Sequence, residues 1–396
     1  MSDSSISVFV NKKHRRSDKA CFDFASEEAI NRVALFHQSL PGYEVTPLVD
    51  LSALATKLGL SSIQVKDESK RFGLNAFKGL GASYAMALYL SKVVGLPDDE
   101  ILFDSILQKK AHYKDLTFVT ATDGNHGRAV AWSAQKFGCN AVVFMPEGSS
   151  PARLEAIRSY GARAEIFPAN YDDTVRHASQ MADNNAWVLL QDTAWEGYEC
   201  IPETIMQGYL SLMNECAFDI ETWPTHVFVQ AGVGSLPASV LAFINNLRDT
   251  PLPKFVVVEP LGAPCLYKSM KENEGKPSKV EGDLTTIMAG LACGEPSTIA
   301  LDILKSAASM FVKCGDDISR IGMRLMANPL GGDAKIISGE SGAVTLGLLH
   351  ELLSSRHYQQ QCEDLALDQH SKVLLFSTEG DTDKQIYADI VHPKLV

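Results

Sequence analysis

The chain has 396 residues, of which 45% are hydrophobic and 21% charged, and its formal net charge is −12. This length and apolar content predict one large globular domain or two smaller ones. The negative charge argues against nucleic acid as the main partner, and no apolar run approaches the roughly 18 residues needed to span a bilayer. No secretory signal and no metal-ligand spacing among the 8 cysteines is visible. We therefore expect a cytoplasmic protein with reduced thiols, no membrane contact and no metal.

The first informative segment in chain order runs from Lys66 to Gly81 and contains Lys78 among asparagine, phenylalanine and glycine residues. It precedes an apolar stretch, residues 82–94, which predicts a helix that Gly95 ends. A partly desolvated amine beside a helix start loses its proton more easily and becomes nucleophilic, so Lys78 is a candidate Schiff-base former. A solvated lysine at a helix N-terminus is the alternative.

Strand-like and helical runs alternate along the chain. Helices are predicted near residues 125–137, 149–161 and 172–184, between short apolar strands at 116–120, 141–145, 164–167 and 187–190. This alternation predicts a parallel α/β sheet, and later strands at 226–230, 255–259 and 373–376 predict a second one. We expect two α/β domains with a ligand cleft between them. The large domain would comprise residues 1–83 and 191–396, and the inserted small domain residues 84–190.

Three of the predicted strands lead into loops that suit anion or ring binding. Residues 120–128, TATDGNHGR, form a turn before a helix, so backbone N–H groups and the Asn125 amide can meet a carboxylate or phenolate. Residues 230–236, QAGVGSL, contain glycines that let the backbone approach a phosphate, although an ordinary strand-to-helix turn also fits. Residues 374–381, LLFSTEGD, include the hydroxyls of Ser377 and Thr378, which can hold a ring nitrogen.

Together these segments resemble the β-family (fold type II) of pyridoxal phosphate (PLP) enzymes, which includes serine and threonine dehydratases, threonine synthase and cysteine synthase. Six motifs narrow the resemblance to the diaminopropionate ammonia-lyase family: KDESKRFGLNAFK, TDGNHGR, QDTAWEGY, MAGLACGEP, SGESGAV and STEGDTD. They spread from Lys66 to Asp383, whereas the first forty or so residues carry none and are expected to fall outside the resemblance. It implies PLP-dependent elimination of ammonia from both isomers of 2,3-diaminopropionate, giving pyruvate and ammonia through an aminoacrylate, by a homodimer.

The resemblance also implies roles for particular residues around the cofactor. Lys78 would hold PLP covalently and take the Cα proton of the substrate. The phosphate would lie against Gly232, Val233, Gly234, Ser235 and Leu236, and Asn125 would bond the 3′ oxygen of the ring. Ser377 or Thr378 would meet the pyridine nitrogen. A hydroxyl there can leave that nitrogen unprotonated, which suits elimination over transamination.

Asp123 distinguishes this chain from related dehydratases, in which a small uncharged residue stands two places before the asparagine. Asp123 and Thr122 adjoin the loop that we expect to bind the substrate carboxylate. If the Asp123 carboxylate is buried and unpaired, it would repel the substrate carboxylate. The β-ammonium of diaminopropionate would offset the repulsion. Asp192 is a second candidate acid, and the resemblance implies catalytic aspartates at both positions, one serving the D-isomer while Lys78 serves the L-isomer. Helix capping is the alternative for both.

Two other functions stay open at this point. A serine/threonine dehydratase-like or threonine synthase-like enzyme would be favoured by a small uncharged residue at position 123. A non-catalytic PLP-binding protein is disfavoured by the intact Lys78, Asn125 and glycine loop.

Other features carry no predicted chemistry. His126 is expected to make a backbone-fixing hydrogen bond rather than to perform acid–base catalysis. The basic run at residues 12–16 is expected to be a solvated arm, and the three glutamines at 359–361 a loop. A disulfide between Cys265 and Cys293 is conceivable.

Overall fold

The computed structural model describes residues 6–393, whose strands form two sheets flanked by helices. The strands are β1 (Ser7–Val10), β2 (Leu48–Asp50), β3 (Ser62–Asp67), β4 (Thr117–Ala121), β5 (Asn140–Met145), β6 (Arg163–Ile166), β7 (Val188–Leu189), β8 (His226–Gln230), β9 (Lys254–Pro260), β10 (Met310–Cys314) and β11 (Lys372–Ser377). The larger sheet has 7 strands in the order β1-β10-β9-β8-β11-β3-β2, and the smaller has 4 in the order β6-β5-β4-β7.

The inner strands of both sheets run parallel, whereas β1 and β2 are antiparallel strands at the two edges of the larger sheet. Every residue of β8 is buried, as expected of a parallel strand that helices cover on both faces. The predicted α/β class with two sheets is therefore confirmed. All strands of the smaller sheet fall within residues 84–190, which agrees with the proposed inserted domain; its exact boundaries stay a prediction.

Fifteen α-helices connect these strands within the described residues. They are α1 (Glu27–Ser39), α2 (Ser52–Leu58), α3 (Gly79–Val94), α4 (Phe103–Leu107), α5 (Asn125–Phe137), α6 (Pro151–Arg158), α7 (Tyr171–Asn185), α8 (Cys200–Asp219), α9 (Ser235–Asn246), α10 (Cys265–Glu272), α11 (Thr298–Ala307), α12 (Asp316–Ala327), α13 (Glu340–Ser354), α14 (Gln359–Leu365) and α15 (Lys384–Val391). As predicted, α3 ends at Gly95, which takes the left-handed conformation with φ 69°. The prediction of a loop at the three glutamines was wrong, because glutamine propagates helices well and they begin α14.

The expectation of a solvated N-terminal arm holds for the exposed side chains of Lys12, Lys13 and Arg15 but not for Arg16. The arm begins with β1, which pairs along β10. Arg16 then donates hydrogen bonds to the carbonyl groups of Ile244, Asn245, Leu247 and Thr250, at and beyond the C-terminal end of α9. The last carbonyls of a helix have no N–H partner four residues on, so a guanidinium with five N–H donors is well suited to bond several carbonyls in this region at once. Arg16 thus fixes the end of the basic run to the end of α9.

A network of buried charges anchors the segment that leads to Lys78. Arg71 donates two hydrogen bonds to Glu68, both of 2.8 Å, and two to Glu215 on α8, of 2.8 and 2.7 Å. Lys66 on β3 completes the network, with its ammonium 2.7 Å from a carboxylate oxygen of Glu215. Because two cations face two carboxylates, the buried charges balance, and the segment after β3 is fixed to helix α8.

Two further expectations concern thiols and membranes. All 8 cysteines lie within the described residues and are unpaired, so Cys265 and Cys293 form no disulfide here. Among residues 6–393, every helix falls short of the length and apolarity needed to cross a bilayer.

Candidate active site

The residues predicted to act together line one cavity at the carboxyl ends of strands from both sheets. Lys78 follows β3, Thr122 and Asp123 follow β4, Asp192 follows β7, residues 232–236 (the glycine loop) follow β8, and Thr378 follows β11. Loops after neighbouring parallel strands converge at this edge, which is the usual place for ligand sites in α/β proteins. The cavity therefore takes residues from both sheets.

Lys78 projects into the cavity from the residue preceding α3 and forms an ion pair with Asp192. Burial has the largest single effect and lowers the pKa of the Lys78 ammonium, but Asp192, Tyr209 and Asp123 together outweigh it, so this pKa is raised above its ordinary value. The expectation of an amine that loses its proton easily was wrong for the cofactor-free protein, because it did not include Asp192. The pKa of Asp192, which burial would raise, is lowered to about 2 by His126 and Lys78. The pair is therefore an ammonium and a carboxylate.

The loop that carries Lys78 is bound to the C-terminal segment after β11. The Phe77 N–H donates to the Thr378 carbonyl at 3.1 Å, and the Gly380 N–H donates to the Asn75 carbonyl at 2.9 Å. Asn75 has a φ of 59°, a left-handed conformation that asparagine tolerates, and its amide donates to Asp381 at 3.0 Å. These contacts hold the loop that carries Lys78 against the segment that carries Thr378.

Asp192 is held from several sides. Its carboxylate lies 3.3 Å from the side-chain amide of Gln191 and 3.4 Å from the Tyr171 hydroxyl, while its backbone carbonyl accepts a 2.7 Å hydrogen bond from the Ser235 hydroxyl. Burial raises the pKa of Tyr171, so the phenol stays protonated and can donate. Because Ser235 already donates to Asp192, its hydroxyl links the glycine loop to the acid.

The glycine loop presents a row of backbone donors. Within residues 6–393, the N–H groups of Gly232, Val233, Gly234, Ser235 and Leu236 find no hydrogen-bond acceptor. A Cβ on Gly232 would lie 3.0 Å from the Cys293 sulfur, and Gly234 has a φ of 104° with Leu266 3.2 Å from a Cβ position. Such an arrangement at the start of α9 fits a bound anion, because the helix dipole adds to the free donors.

Asp123 lines the cavity and is free to act on a ligand. The N-cap of α5 is Gly124, and no side chain caps this helix, so the capping alternative for Asp123 was wrong. Its carboxylate accepts no hydrogen bond from any described residue, whereas the neighbouring Thr122 hydroxyl accepts one of 2.9 Å from Gly124. The capping alternative for Asp192 also fails, because that residue lies between β7 and α8 and pairs with Lys78.

Two predicted cofactor residues do not line the cavity. The Ser377 hydroxyl bonds to Ser338 at 2.9 Å and is fully buried, whereas the Thr378 hydroxyl borders the cavity and accepts a 2.9 Å bond from Gln230. Of the two hydroxyls, Thr378 is therefore the candidate partner of a ring nitrogen. Asn125 lies just outside the cavity, where its amide donates to Glu379.

Several cavity residues had no predicted role. Tyr209 comes from the middle of α8, and its buried hydroxyl has no partner among the described residues. Gly290, Leu291 and Cys293 belong to the motif MAGLACGEP, which supports the family resemblance but predicts no role for its individual residues. No local pattern could have identified Tyr209, because it reaches the cavity only through the packing of α8 against α3.

The chain is similar to known PLP-dependent enzymes. The family described as "Pyridoxal-phosphate dependent enzyme" matches residues 40–365. Diaminopropionate ammonia-lyase of Salmonella typhimurium is 48% identical over 390 residues, 97% of this chain and 96% of that protein. The Escherichia coli K12 protein of the same name is 46% identical over 90% of this chain and 89% of its own length. Since the Salmonella alignment covers 97% of the chain, the expectation that the first forty residues fall outside the likeness was wrong.

Solved structures extend the likeness to the fold. The crystal structure of diaminopropionate ammonia lyase from Escherichia coli in complex with an aminoacrylate-PLP azomethine reaction intermediate matches 98% of this chain and 97% of its own, with a TM-score of 0.89 and 42% identity. Threonine deaminase isoform 2 from Solanum lycopersicum has a TM-score of 0.71 at 20% identity and shares the fold alone. From its sequence, its fold and the cavity, the chain belongs to the diaminopropionate ammonia-lyase family of fold type II PLP-dependent enzymes.

Proposed function

We propose that this protein eliminates ammonia from D- and L-2,3-diaminopropionate, giving pyruvate and ammonia with PLP as cofactor. The observation that carries the proposal is the free carboxylate of Asp123, which shares one cavity with the Lys78–Asp192 pair and the glycine loop. Support also comes from the near-full-length likeness to diaminopropionate ammonia-lyases.

The cavity residues fit a phosphate-bearing aldehyde cofactor. The five unpartnered N–H groups of the glycine loop would hold the phosphate, and Lys78 is the only lysine lining the cavity among the described residues. Thr378 would meet the ring nitrogen as a neutral hydroxyl. When bound, PLP supplies an electron sink for the charge that develops at the substrate Cα.

The side chains divide the remaining tasks of the reaction. Asp123 would bind the β-ammonium of the substrate, because an unpaired carboxylate in a desolvated cavity attracts a cation strongly. Lys78, as a free amine, would take the Cα proton of one isomer, and an aspartate on the opposite side would take that of the other. The wall formed by Tyr171, Leu291 and Cys293 would exclude water from the reacting atoms.

The activity itself is tested by incubating the purified holoenzyme with D- and L-diaminopropionate, serine and threonine, and measuring keto acid and ammonia. We expect turnover of both diaminopropionate isomers well above that of the two hydroxy amino acids. A preference for serine or threonine would instead indicate the dehydratase alternative, and inactivity on all four would indicate a binding protein.

Asp123→Asn is expected to retain PLP but to lose efficiency on diaminopropionate. Removing one partner of a desolvated charge pair costs about 2–5 kcal/mol, so kcat/KM should fall roughly thirtyfold or more. If Asp123 also removes the proton of the D-isomer, the loss for that isomer should be much larger than for the L-isomer. Steady-state rates with each isomer give the ratio, and an equally small loss for both would contradict the role. Asp115→Asn, at an exposed carboxylate before β4, is the matched control.

Gly234→Val tests the phosphate site. Valine at a φ of 104° is strained, and its side chain would crowd Leu266, so the loop should move and PLP affinity should fall at least roughly tenfold. Cofactor titration of the apo-protein measures the change. Gly59→Val introduces comparable strain, at a φ of 73° with no neighbour near, and should leave PLP affinity unaltered. If folded Gly234→Val binds PLP with unchanged affinity, the phosphate does not lie against the glycine loop.

The Lys78–Asp192 pair also predicts a pH dependence of cofactor loading. Only the neutral amine can attack an aldehyde, and the pKa of Lys78 is raised by Asp192, so the ammonium must first lose its proton. The rate of PLP uptake by the apo-protein should therefore rise with pH through the neutral and alkaline range. Stopped-flow absorbance follows the uptake, and Asp192→Asn should reach a given rate at lower pH. A rate independent of pH in both proteins would contradict the ion pair.

The proposal includes a cytoplasmic homodimer. The unpaired state of all 8 cysteines agrees with a reducing compartment. Phe218 at the end of α8 is 84% exposed, and a dimer interface over it would remove this apolar side chain from water. Light scattering after size-exclusion chromatography would test the dimer, and a monomeric mass at micromolar concentration would refute it.

A further inference from the structure

The hydroxyl of Tyr209 is a polar group of the cavity that the roles described above leave unused. Tyr209 lies in the middle of α8, is only 1% exposed, and lines the same cavity as Lys78 and Asp192. Its hydroxyl has no hydrogen-bond partner among the described residues. Burying a hydroxyl without a partner costs free energy, and phenylalanine would fill the same space without that cost. Packing alone therefore does not explain a tyrosine at this position.

Two glycines bring the Tyr209 ring against the start of α3. A Cβ on Gly81 would lie 2.5 Å from a ring carbon of Tyr209, and a Cβ on Gly208 would lie 2.5 Å from a carbonyl oxygen of α3. The ring centroid of Tyr209 is 4.8 Å from that of Phe77, and the Lys78 nitrogen is 5.7 Å from the same Phe77 centroid. The close approach of α8 to α3 thus places the phenol beside the segment that carries Lys78.

Tyr209 and Lys78 are close enough for each to affect the pKa of the other. Burial lowers the pKa of the Lys78 ammonium, whereas Asp192 and Tyr209 raise it. Asp123 adds a smaller effect in the same direction. Burial raises the pKa of Tyr209 by more than Lys78 lowers it, so the phenol keeps its proton at neutral pH. Its oxygen still has lone pairs that can accept a hydrogen bond from an amine.

A free lysine amine needs such an acceptor. A neutral amine has two N–H donors and one lone pair, and in the cofactor-free protein the Lys78 nitrogen donates to Asp192. If the lone pair is to meet a substrate proton, the second N–H needs a partner inside the buried cavity. His126 and Gln230 also carry unpartnered acceptor atoms in this cavity, within the part of the chain that the structure describes. It is Tyr209, however, whose ring packs on the residue before Lys78.

We propose that the Tyr209 hydroxyl positions the free amine of Lys78 by accepting one of its N–H bonds, so that the amine lone pair faces the substrate Cα. The inference rests on the proposed function, because it takes Lys78 as the base for one isomer, expected to be the L-isomer. In that step the substrate Cα–H bond breaks and leaves its electron pair on the substrate. A new N–H bond forms on Lys78, which becomes an ammonium. Tyr209 keeps its own proton and acts only through Lys78, so it is a positioning residue.

Tyr209→Phe removes the hydroxyl and keeps the ring that packs on Phe77. We expect full PLP occupancy, KM within about twofold, and a fall in kcat of roughly tenfold or more for the isomer that uses Lys78, because a small misplacement of a reacting group lowers the rate strongly. The isomer that uses Asp123 should be affected far less. Unaltered kcat with both isomers, or equal losses for both, would overturn the proposal.

Tyr113→Phe is the matched control. The Tyr113 ring is also 1% exposed, but it lies outside the cavity, and its hydroxyl donates to the Ile106 carbonyl at 3.1 Å. This variant should keep wild-type rates with both isomers. A loss that distinguishes the isomers in Tyr209→Phe alone therefore reports on the cavity rather than on the removal of any buried hydroxyl.

A second measurement needs neither cofactor nor turnover. Competitive acetylation of the apo-protein over a range of pH, followed by peptide mapping, reports the pKa of the Lys78 amine. Because Tyr209 raises this pKa, the Lys78 profile of Tyr209→Phe should move to lower pH, while the Tm should not fall, since the lost hydroxyl had no partner. A profile identical to that of the wild-type protein would show that the hydroxyl does not reach Lys78 and would overturn the proposal. If the profile moves but the wild-type holoenzyme is inactive on diaminopropionate, the proposed function fails and the Tyr209–Lys78 contact stands.

Discussion

Lys78→Ala is expected to lose at least about 1,000-fold in kcat on either isomer, because both the covalent attachment of PLP and a proton acceptor are removed. The fold should persist, since Lys78 precedes α3 without capping it and alanine is accepted at a helix start. Rates are measured with PLP in excess, and circular dichroism checks the fold.

Lys70→Ala is the matched control for this result. Lys70 is exposed and lies in the same segment, so its removal should leave the rates unaltered. Borohydride reduction of the wild-type holoenzyme and peptide mapping add an independent readout. The pyridoxyl mass should appear on the peptide that contains Lys78, and its appearance on another lysine would exclude Lys78 as the attachment site.

The second large effect is expected for stability. Arg71→Met leaves the buried carboxylates of Glu68 and Glu215 without the guanidinium that both of them contact. Removing one partner of a buried ion pair costs about 3–5 kcal/mol, and the free energy of unfolding should fall by that amount. Burial would raise the pKa of Glu215, but Arg71 and Lys66 lower it to about 2, so its stabilising contribution is present above the ordinary carboxyl pKa and lost as pH falls through about 2. The deficit of the variant should therefore be largest near neutral pH.

Urea denaturation at several pH values measures this deficit. Arg320→Met is the control, because its partner Asp317 is an exposed residue of the same helix, and such pairs contribute about 0.5 kcal/mol or less. Glu215→Gln combined with Arg71→Met should recover part of the loss, since one uncompensated charge is removed. Equal costs for Arg71→Met and Arg320→Met would show that the buried network adds nothing.

Local signals account for the part of the site that could be predicted from sequence. Lys78, Asp123 and the glycine loop each stand in a short strand–turn–helix pattern, so their backbone setting is visible in neighbouring residues. The parallel strands β4 to β9 and β11 are predictable for a similar reason, because burial on both faces requires continuous apolar runs. The parallel strands β3 and β10 each contain a lysine within the apolar run and were not predicted. Strand β2 escaped prediction because it is a partly exposed edge strand of only 3 residues.

Properties that depend on distant partners could not be predicted in this way. The direction of the pKa shift of Lys78 is set by Asp192, which meets it only after the two sheets pack together. Thr378 could be distinguished from Ser377 only once the side of β11 that faces the cavity was known. The same holds for the partner of His126, whose Nε2 lies 2.8 Å from the carbonyl oxygen of Leu190 on the neighbouring segment.

The place of β11 in the larger sheet has a consequence for the order of events during synthesis. This strand covers Lys372–Ser377 and is inserted between β8 and β3, so it is synthesised after the other strands of residues 6–393 but is a central strand of the sheet. Until it leaves the ribosome, β8 and β3 have no common neighbour, and their apolar edges stay open to other chains. Nascent chains that stall before β11 should therefore depend on chaperones and be prone to aggregation. PLP should bind only late in synthesis. Thr378, whose carbonyl accepts a hydrogen bond from the Phe77 N–H of the Lys78 loop, is made directly after β11.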